Sequence, residues 1–403
     1  MASRAALIFV VLTVLLDSVG IGLIFPVLPD LIEEVTGGDL SHAALWGGVL
    51  TAAFALMQFT FGPTVGNLSD RYGRRPVMLV ALVVMTADYL VMALAGSIWL
   101  LIAARVVAGL SAATHTTAAA YMADISTPER RGRNFGLIGA ALGMGFILGP
   151  ALGGLLAQFG TRAPFLGAAA LAALNLGFGA LVLPETLRRP RAFDWRRANP
   201  LGAFLGASRL PGLGRVLTVF LLAQVANFAY PAVWAYWGAA RFGWDTTMIG
   251  LSLAFYGGGF MAVQALCVGP AIRHFGEGRT ATLGLVCDVI SALFFGIVSN
   301  GAAALAFVIV SSLGGIATPA LQAIGARLAP EDAQGELQGL MSSLTAVAMI
   351  VSPITATTVF YAFTGPAAPV QLPGAPFLVS ALLLVAAVLL HVAPARVAAE
   401  PAP

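Results

Sequence analysis

Lysine is absent from this chain, and all 21 of its basic residues are arginine. Charged residues of both signs make up 10% of its 403 positions, against roughly 25% in ordinary soluble domains. That scarcity excludes a soluble enzyme, a nucleic-acid binder and a disordered chain, each of which presents far more charge to water. Without lysine there is no GxxxxGK[ST] phosphate loop, and no HExxH run is present either. Work done by such a chain must draw on an ion gradient, not on ATP hydrolysis. Cysteine is almost missing: Cys267 and Cys287 each sit in an apolar run, which argues against a disulfide scaffold or a Cys/His metal site. No metal site and no permanently bound cofactor are expected. The first apolar run contains Asp17 and lacks a small-x-small cleavage site, so it is expected to stay in the membrane and not to act as a cleaved signal.

What fills the chain is apolar: 59% of its residues are hydrophobic. They gather in runs near 6–28, 44–66, 77–95, 98–120, 136–157 and 163–183, then near 215–236, 248–270, 279–298, 302–321, 338–360 and 374–393. Each run is about 20 residues, the length of a bilayer-spanning helix and twice that of a barrel strand. The fold class read from this is an all-α membrane protein of twelve transmembrane helices. The longest interruption, 184–214, is rich in arginine and proline and divides the chain into an N-terminal half, 1–183, and a C-terminal half, 215–403. With the N-terminus inside, 18 arginines face the cytoplasm, Arg162 and Arg241 face out, and Arg105 lies within a span. That bias predicts cytoplasmic termini and a cytoplasmic loop 184–214.

The chain repeats itself at an offset of 203. Gly66 and Gly73 align with Gly269 and Gly276, Tyr72 with Phe275, and Leu110 with Leu313. Gly132, Gly136 and Leu137 align with Gly335, Gly339 and Leu340, and Pro150 with Pro353. Two parallel six-helix copies point to a secondary transporter with its site between them near the midplane.

Four charges fall within spans: Asp17, Asp88, Arg105 and Asp288. Ionisable groups at that depth face a cavity or a partner. The three carboxylates are candidates for proton coupling, because a desolvated carboxyl takes up a proton and releases it when water or a cation arrives. Arg105 is read as a fixed counter-charge or an anion clamp. A static buried pair of Asp88 with Arg105 is the alternative. His115, in the fourth span, is a further candidate proton group, weighed against simple hydrogen bonding. Phe228, Tyr230, Trp234, Tyr236, Trp237, Phe255, Tyr256 and Phe260 crowd the seventh and eighth spans. They either line an apolar drug pocket or face lipid and the membrane interface.

The loop after the second span reads Gly66-Asn-Leu-Ser-Asp70-Arg71-Tyr-Gly73-Arg74-Arg75-Pro76. It resembles the signature loop of the major facilitator superfamily, and the expected fold is that family's, with pseudo-symmetric halves. In the repeat Asp70 aligns with Arg273 and Asp124 with Arg327. This charge inversion points to a gate in which Asp70, Arg71, Arg74, Arg75 and Asp124 latch neighbouring helices. The fifth span carries Gly145-x-x-x-Gly149-Pro150-x-x-Gly153-Gly154, small residues that allow close helix approach. It resembles the motif of drug/proton antiporters, which implies a place between the halves.

The sequence around Asp17, from Leu16 to Pro29, is similar to the first span of the tetracycline/proton antiporters. So are Ala55-Leu-Met-Gln58, Asp88-Tyr89-Leu90, Arg241-Phe-Gly-Trp244, Pro319-Ala-Leu-Gln322 and Gly335-x-Leu337-Gln338-Gly339-Leu340. The resemblance runs over all twelve spans. It implies inner-membrane export of a tetracycline–divalent metal (magnesium) cation in exchange for a proton. It also implies roles for Asp17, Asp88, Asp288, Arg105, Gln58 and Gln264; Gln322 is a further candidate for the ligand's polar edge. Well-known members of that family carry a functional histidine four residues before the glutamine matching Gln264. Here the position is Phe260, and a wider or shifted drug range is expected. The expected partners are a small-molecule drug, the proton and membrane lipid, with no nucleic acid and with action as a monomer. The rival readings are a proton-coupled nutrient symporter and a non-transporting membrane sensor.

Overall fold

The structure, a computed structural model, describes residues 4–111, 114–187, 192–194, 198–202 and 212–393. Among these residues all regular structure is helical. Parts of the loop 184–214, namely 188–191, 195–197 and 203–211, lie outside the described residues, as does the side chain of His115.

Local chemistry sets the breaks. α1 (Arg4–Ile24) stops just before Pro26, which disfavours helix in the residue ahead of it. A short α2 (Leu28–Thr36) follows and ends on Gly37 in the left-handed region, φ 66°. α3 (Leu40–Tyr72) opens on Asp39, whose carboxylate accepts from the His42 amide. It runs through Gly66, where a Cβ would meet nothing within 4 Å. The expected turn therefore begins later, at Gly73 (φ 110°, ψ 154°), which leads into α4 (Arg74–Leu94). α5 (Ile98–Ser111) and α6 (Thr114–Ile125) occupy the stretch of the fourth span, and α7 (Pro128–Leu156) and α8 (Ala163–Val182) complete the first half. In the second half come α9 (Gly214–Phe242), α10 (Thr246–Leu266) and α11 (Val268–Ile297), the last broken at Gly276 (φ 77°, ψ 164°). α12 (Gly301–Ser312) passes through a 3-10 turn, Leu313–Ile316, into α13 (Ala317–Leu328). α14 (Gln334–Thr364) and α15 (Ala375–Val392) end the fold.

Among the described residues eleven helical segments are long and apolar enough to cross a membrane, and the shorter apolar stretch Ile98–Leu110 lies in the remaining span. Packing repeats between halves. α1 lies on α7 as α9 lies on α14, α4 on α8 as α11 on α15, and α3 on α5 as α10 on α12. The halves join through α3 against α14 and α7 against α10. The backbone keeps the repeat: Gly73 and Gly276, 203 apart, share a positive φ with extended ψ. Only glycine adopts that conformation at little cost.

Candidate functional site

Two clusters of membrane-embedded polar groups form, one in each half. In the N-terminal half Asp88 (α4) and Arg105 (α5) make a buried ion pair, with side chains 3% and 13% exposed. This is the static pairing held open by the sequence. The Arg105 guanidinium also lies 5.4 Å from the centre of the Phe54 ring on α3, a cation–π contact, one turn from Gln58. Asp17 is buried on α1. Three residues on, Gly20 leaves room for the Tyr89 phenol, whose oxygen would lie 2.6 Å from a Cβ there.

In the C-terminal half Asp288 (α11) is buried and its Oδ2 accepts from Asn227 Nδ2 at 3.3 Å. Its carboxyl presses against Gly314 in the 3-10 turn of the tenth span. The next residue, Gly315, receives the Phe260 ring on its other side, and its carbonyl accepts from Gln264 Nε2 at 3.3 Å. Phe260 stacks on Tyr256 with centroids 6.1 Å apart. Gln322 is exposed, on α13 beyond this turn. Thus Asp288, Phe260 and Gln264 are brought together, whereas Asp17 and the Asp88–Arg105 pair belong to the opposite half.

The aromatic residues divide. Trp234, Tyr236 and Trp237 are buried inside the protein and do not face lipid. Trp237 packs among Trp234, Phe242, Trp244, Phe295 and Phe377, and Trp234 Nε1 donates to Ser252 Oγ at 2.8 Å. Apolar area and ring-edge contacts make this a core of the C-terminal half. Periodicity in the sequence does not distinguish a helix face turned to lipid from one turned to a neighbouring helix.

The small-residue face of α7 serves two neighbours. Gly145, Gly149 and Gly153 each abut the α1 backbone, and Gly154 abuts Thr246 and Thr247 of α10. The Pro150 carbonyl, in turn, lies against Gly250. The motif therefore packs within its own half as well as between halves.

At the arginine-rich end, Arg74 Nη1 meets Asp70 at 2.5 Å and its Nε meets Asp124 at 3.3 Å. All three residues lie in the N-terminal half. At the same offset in the second half, Arg327 Nε meets Glu277 Oε2 at 3.3 Å. It is the same pair with its polarity reversed. The residue that sequence reading missed here is Glu185. Its carboxylate accepts from the amides of Arg74 (3.0 Å) and Arg75 (3.1 Å) and so caps the start of α4. A Cβ at Gly73 would strike that carboxylate, so the glycine is required twice over. The available signal was an isolated acid at the edge of an arginine-rich loop. Arg75 itself donates to the Ala180 carbonyl at 2.7 Å; Arg71 lies over the Tyr72 ring at 5.1 Å.

At the other end the halves touch directly. Thr246 Oγ1 donates to Asp30 Oδ2 at 2.5 Å, Thr247 Oγ1 donates to the Gly154 carbonyl at 3.0 Å, and His42 meets the Tyr361 ring edge-on. Burial pushes the Asp30 carboxyl above its ordinary range, partly offset by the Thr246 bond. Asp39 is held down at about 2 by hydrogen bonds from Ser41 and His42.

The family model described as Major Facilitator Superfamily matches residues 10–353. Tetracycline resistance protein, class C, of Escherichia coli is 41% identical over 363 residues, covering 90% of this chain and 91% of that one. Tetracycline resistance protein, class G, of Vibrio anguillarum is 36% identical over 363 residues, covering 90% and 92%. Among solved structures, an inward-facing, unoccupied bacterial homologue of the human lysosomal transporter Spinster superposes with a TM-score of 0.79 at 14% identity, covering 97% of each chain. With its paired six-helix halves and matches of this length, the chain belongs to the Major Facilitator Superfamily and groups there with the tetracycline resistance proteins.

Proposed function

We propose that this protein is an inner-membrane drug/proton antiporter that exports a tetracycline–magnesium cation by alternating access, acting as a monomer. The observation that carries this reading is the placement of buried carboxyls in both halves, Asp17 and Asp88 in one and Asp288 in the other. A bare carboxylate is costly in a low dielectric, so each such group favours either a proton or a cationic ligand beside it. Mutual exclusion of the two is enough to tie export of one to entry of the other. Asp17 and Asp288 are assigned the coupling. Asp88, held by Arg105, keeps the site's charge in place. Gln58, Gln264 and Gln322 are assigned to the ligand's polar edge and Phe260 to its apolar wall. The gate is assigned to the Asp70–Arg74–Asp124 cluster with Gly73, Arg71, Arg75 and Glu185, together with Gly145 and Gly149, where α7 packs on α1, and Pro150, where it meets Gly250 of the other half. The contacts between the halves at the Asp30 end support an inward-open state. The halves are assigned as 1–183 and 215–403, joined by 184–214.

The test is growth in tetracycline with magnesium, with and without expression of the chain, beside a panel of other lipophilic drugs. Tetracycline protection that vanishes in Asp17→Asn is expected. Protection against other drugs alone would keep the antiporter and discard tetracycline. No protection at verified membrane expression would turn the reading to a symporter.

Orientation follows the arginine bias, with both termini and the linker cytoplasmic. Ala367 and Ala192 are exposed on opposite sides of that scheme. In a Cys267→Ser, Cys287→Ser background, a membrane-impermeant thiol reagent added to whole cells should label Ala367→Cys and spare Ala192→Cys. The reverse pattern would overturn the orientation.

A further inference from the structure

We propose that Gly314 and Gly315 are positioning residues that couple the state of Asp288 to the ligand wall made by Phe260 and Gln264. The proposal rests on the assignment of Asp288 to proton coupling. The tenth span changes from α-helix to a 3-10 turn over Leu313–Ile316, and a short 3-10 stretch within a helix is a common hinge. With three residues per turn, neighbours in such a stretch point about 120° apart. Gly314 therefore turns to α11 and Gly315 to α10. A Cβ at Gly314 would collide with the Asp288 carboxyl, and one at Gly315 would sit 2.7 Å from Phe260 Cε2 and 2.9 Å from Cδ2. The turn is gripped on both flanks. Ser312 Oγ would lie 2.6 Å from a Cβ at Gly259 on α10, and the Ala317 amide nitrogen 2.6 Å from one at Gly284 on α11. The Gln264 bond to the Gly315 carbonyl completes the hold on the α10 side.

The physical consequence follows from adjacency. Gaining or losing a proton changes the hydration and hydrogen-bonding needs of the Asp288 carboxyl, which meets the Asn227 amide and the Gly314 backbone and has the Tyr230 hydroxyl of α9, the Tyr256 hydroxyl of α10 and the adjacent Cys287 thiol in its electrostatic surroundings. A shift of the Gly314 peptide must move the Gly315 carbonyl, and with it the Gln264 amide and the surface on which Phe260 rests. Two glycines in sequence give the turn that freedom. The ring at 260 holds no proton, so this route passes motion between α11 and α10, not a proton. By linkage, a ligand that displaces Phe260 must act back on Asp288 to the same extent.

The experiment uses the full-length protein in detergent and tetracycline with magnesium as the probe, with affinity measured from pH 5 to 8. Unaltered protein should change affinity about tenfold over this range, within the usual span of coupling between sites. Gly315→Ala, whose Cβ would clash with the Phe260 ring and force it off the turn, should bind at its best pH but lose most of that dependence. Gly258→Ala, next to open space, should retain it. Full pH dependence in Gly315→Ala, together with a flat profile in Asp288→Asn, would overturn the hinge and leave the proton assignment standing. A full profile in Asp288→Asn would overturn both. Should Gly315→Ala fail to fold, hydrogen exchange of residues 313–317 decides. At fixed pH it should differ between unaltered protein and Asp288→Asn, and equal exchange would overturn the proposal.

Discussion

Everted vesicles carrying the Asp17→Asn, Asp288→Asn double variant should accumulate no tetracycline–magnesium when their interior is acidified, while unaltered vesicles concentrate it. Both carboxyls are buried, one in each half, and asparagine keeps their size while removing the titratable oxygen. Downhill exchange of labelled for unlabelled drug should survive better than accumulation, because a neutral site can still alternate without being driven. The single variants separate the roles. Asp288→Asn keeps a side-chain oxygen to accept from Asn227 Nδ2, as Oδ2 does at 3.3 Å, so its folded yield should stay near normal. Ordinary proton-driven uptake by the double variant, at matched membrane amounts, would remove both residues from the coupling path.

How far the residues announced this arrangement differs from place to place. The spans were legible because runs of about 20 apolar residues leave little else to build in a bilayer. The repeat was legible at Gly73 and Gly276, where a single backbone conformation demands glycine in both copies. The offset also hid a relation: Arg74 and Glu277 occupy equivalent places, and their pairs with Asp124 and Arg327 are mirror images in charge. Buried charges stood out by their cost, and pairing of Asp88 with Arg105 was foreseeable as the cheapest way to satisfy both. What stayed hidden depends on contacts far apart in sequence. Nothing near Asp30 names Thr246, 216 residues away, as its partner. Nothing near Glu185 names the amides after Gly73. The short α2 was absorbed into an interruption between spans because nine residues are too few to register as one. Trp234 and Trp237 read as membrane aromatics, although the ring cluster they join is assembled from α9, α11, α15 and the chain just after α9.

Removing either member of the Asp88–Arg105 pair should cost the protein its fold before it costs it a substrate. Each group is enclosed, so the survivor of a single substitution is left as an uncompensated buried charge, a loss of about 3–5 kcal/mol. Arg105→Ala should be the worse of the two, because it also strips the Phe54 ring of its cation. Folded yield in the membrane and thermal stability in detergent should both fall sharply for Asp88→Asn and for Arg105→Ala. The double variant Asp88→Asn, Arg105→Gln removes both charges while nearly keeping the volume, and it should regain most of the lost stability. A coupling energy of this size between two residues in contact is what a double-mutant cycle resolves. The cycle also divides structure from transport. Export recovered along with stability would make the pair a strut between α4 and α5, whereas recovered stability without export would make its charges part of the ligand site. Single variants as stable as the unaltered protein would dismiss the pair as a structural element altogether.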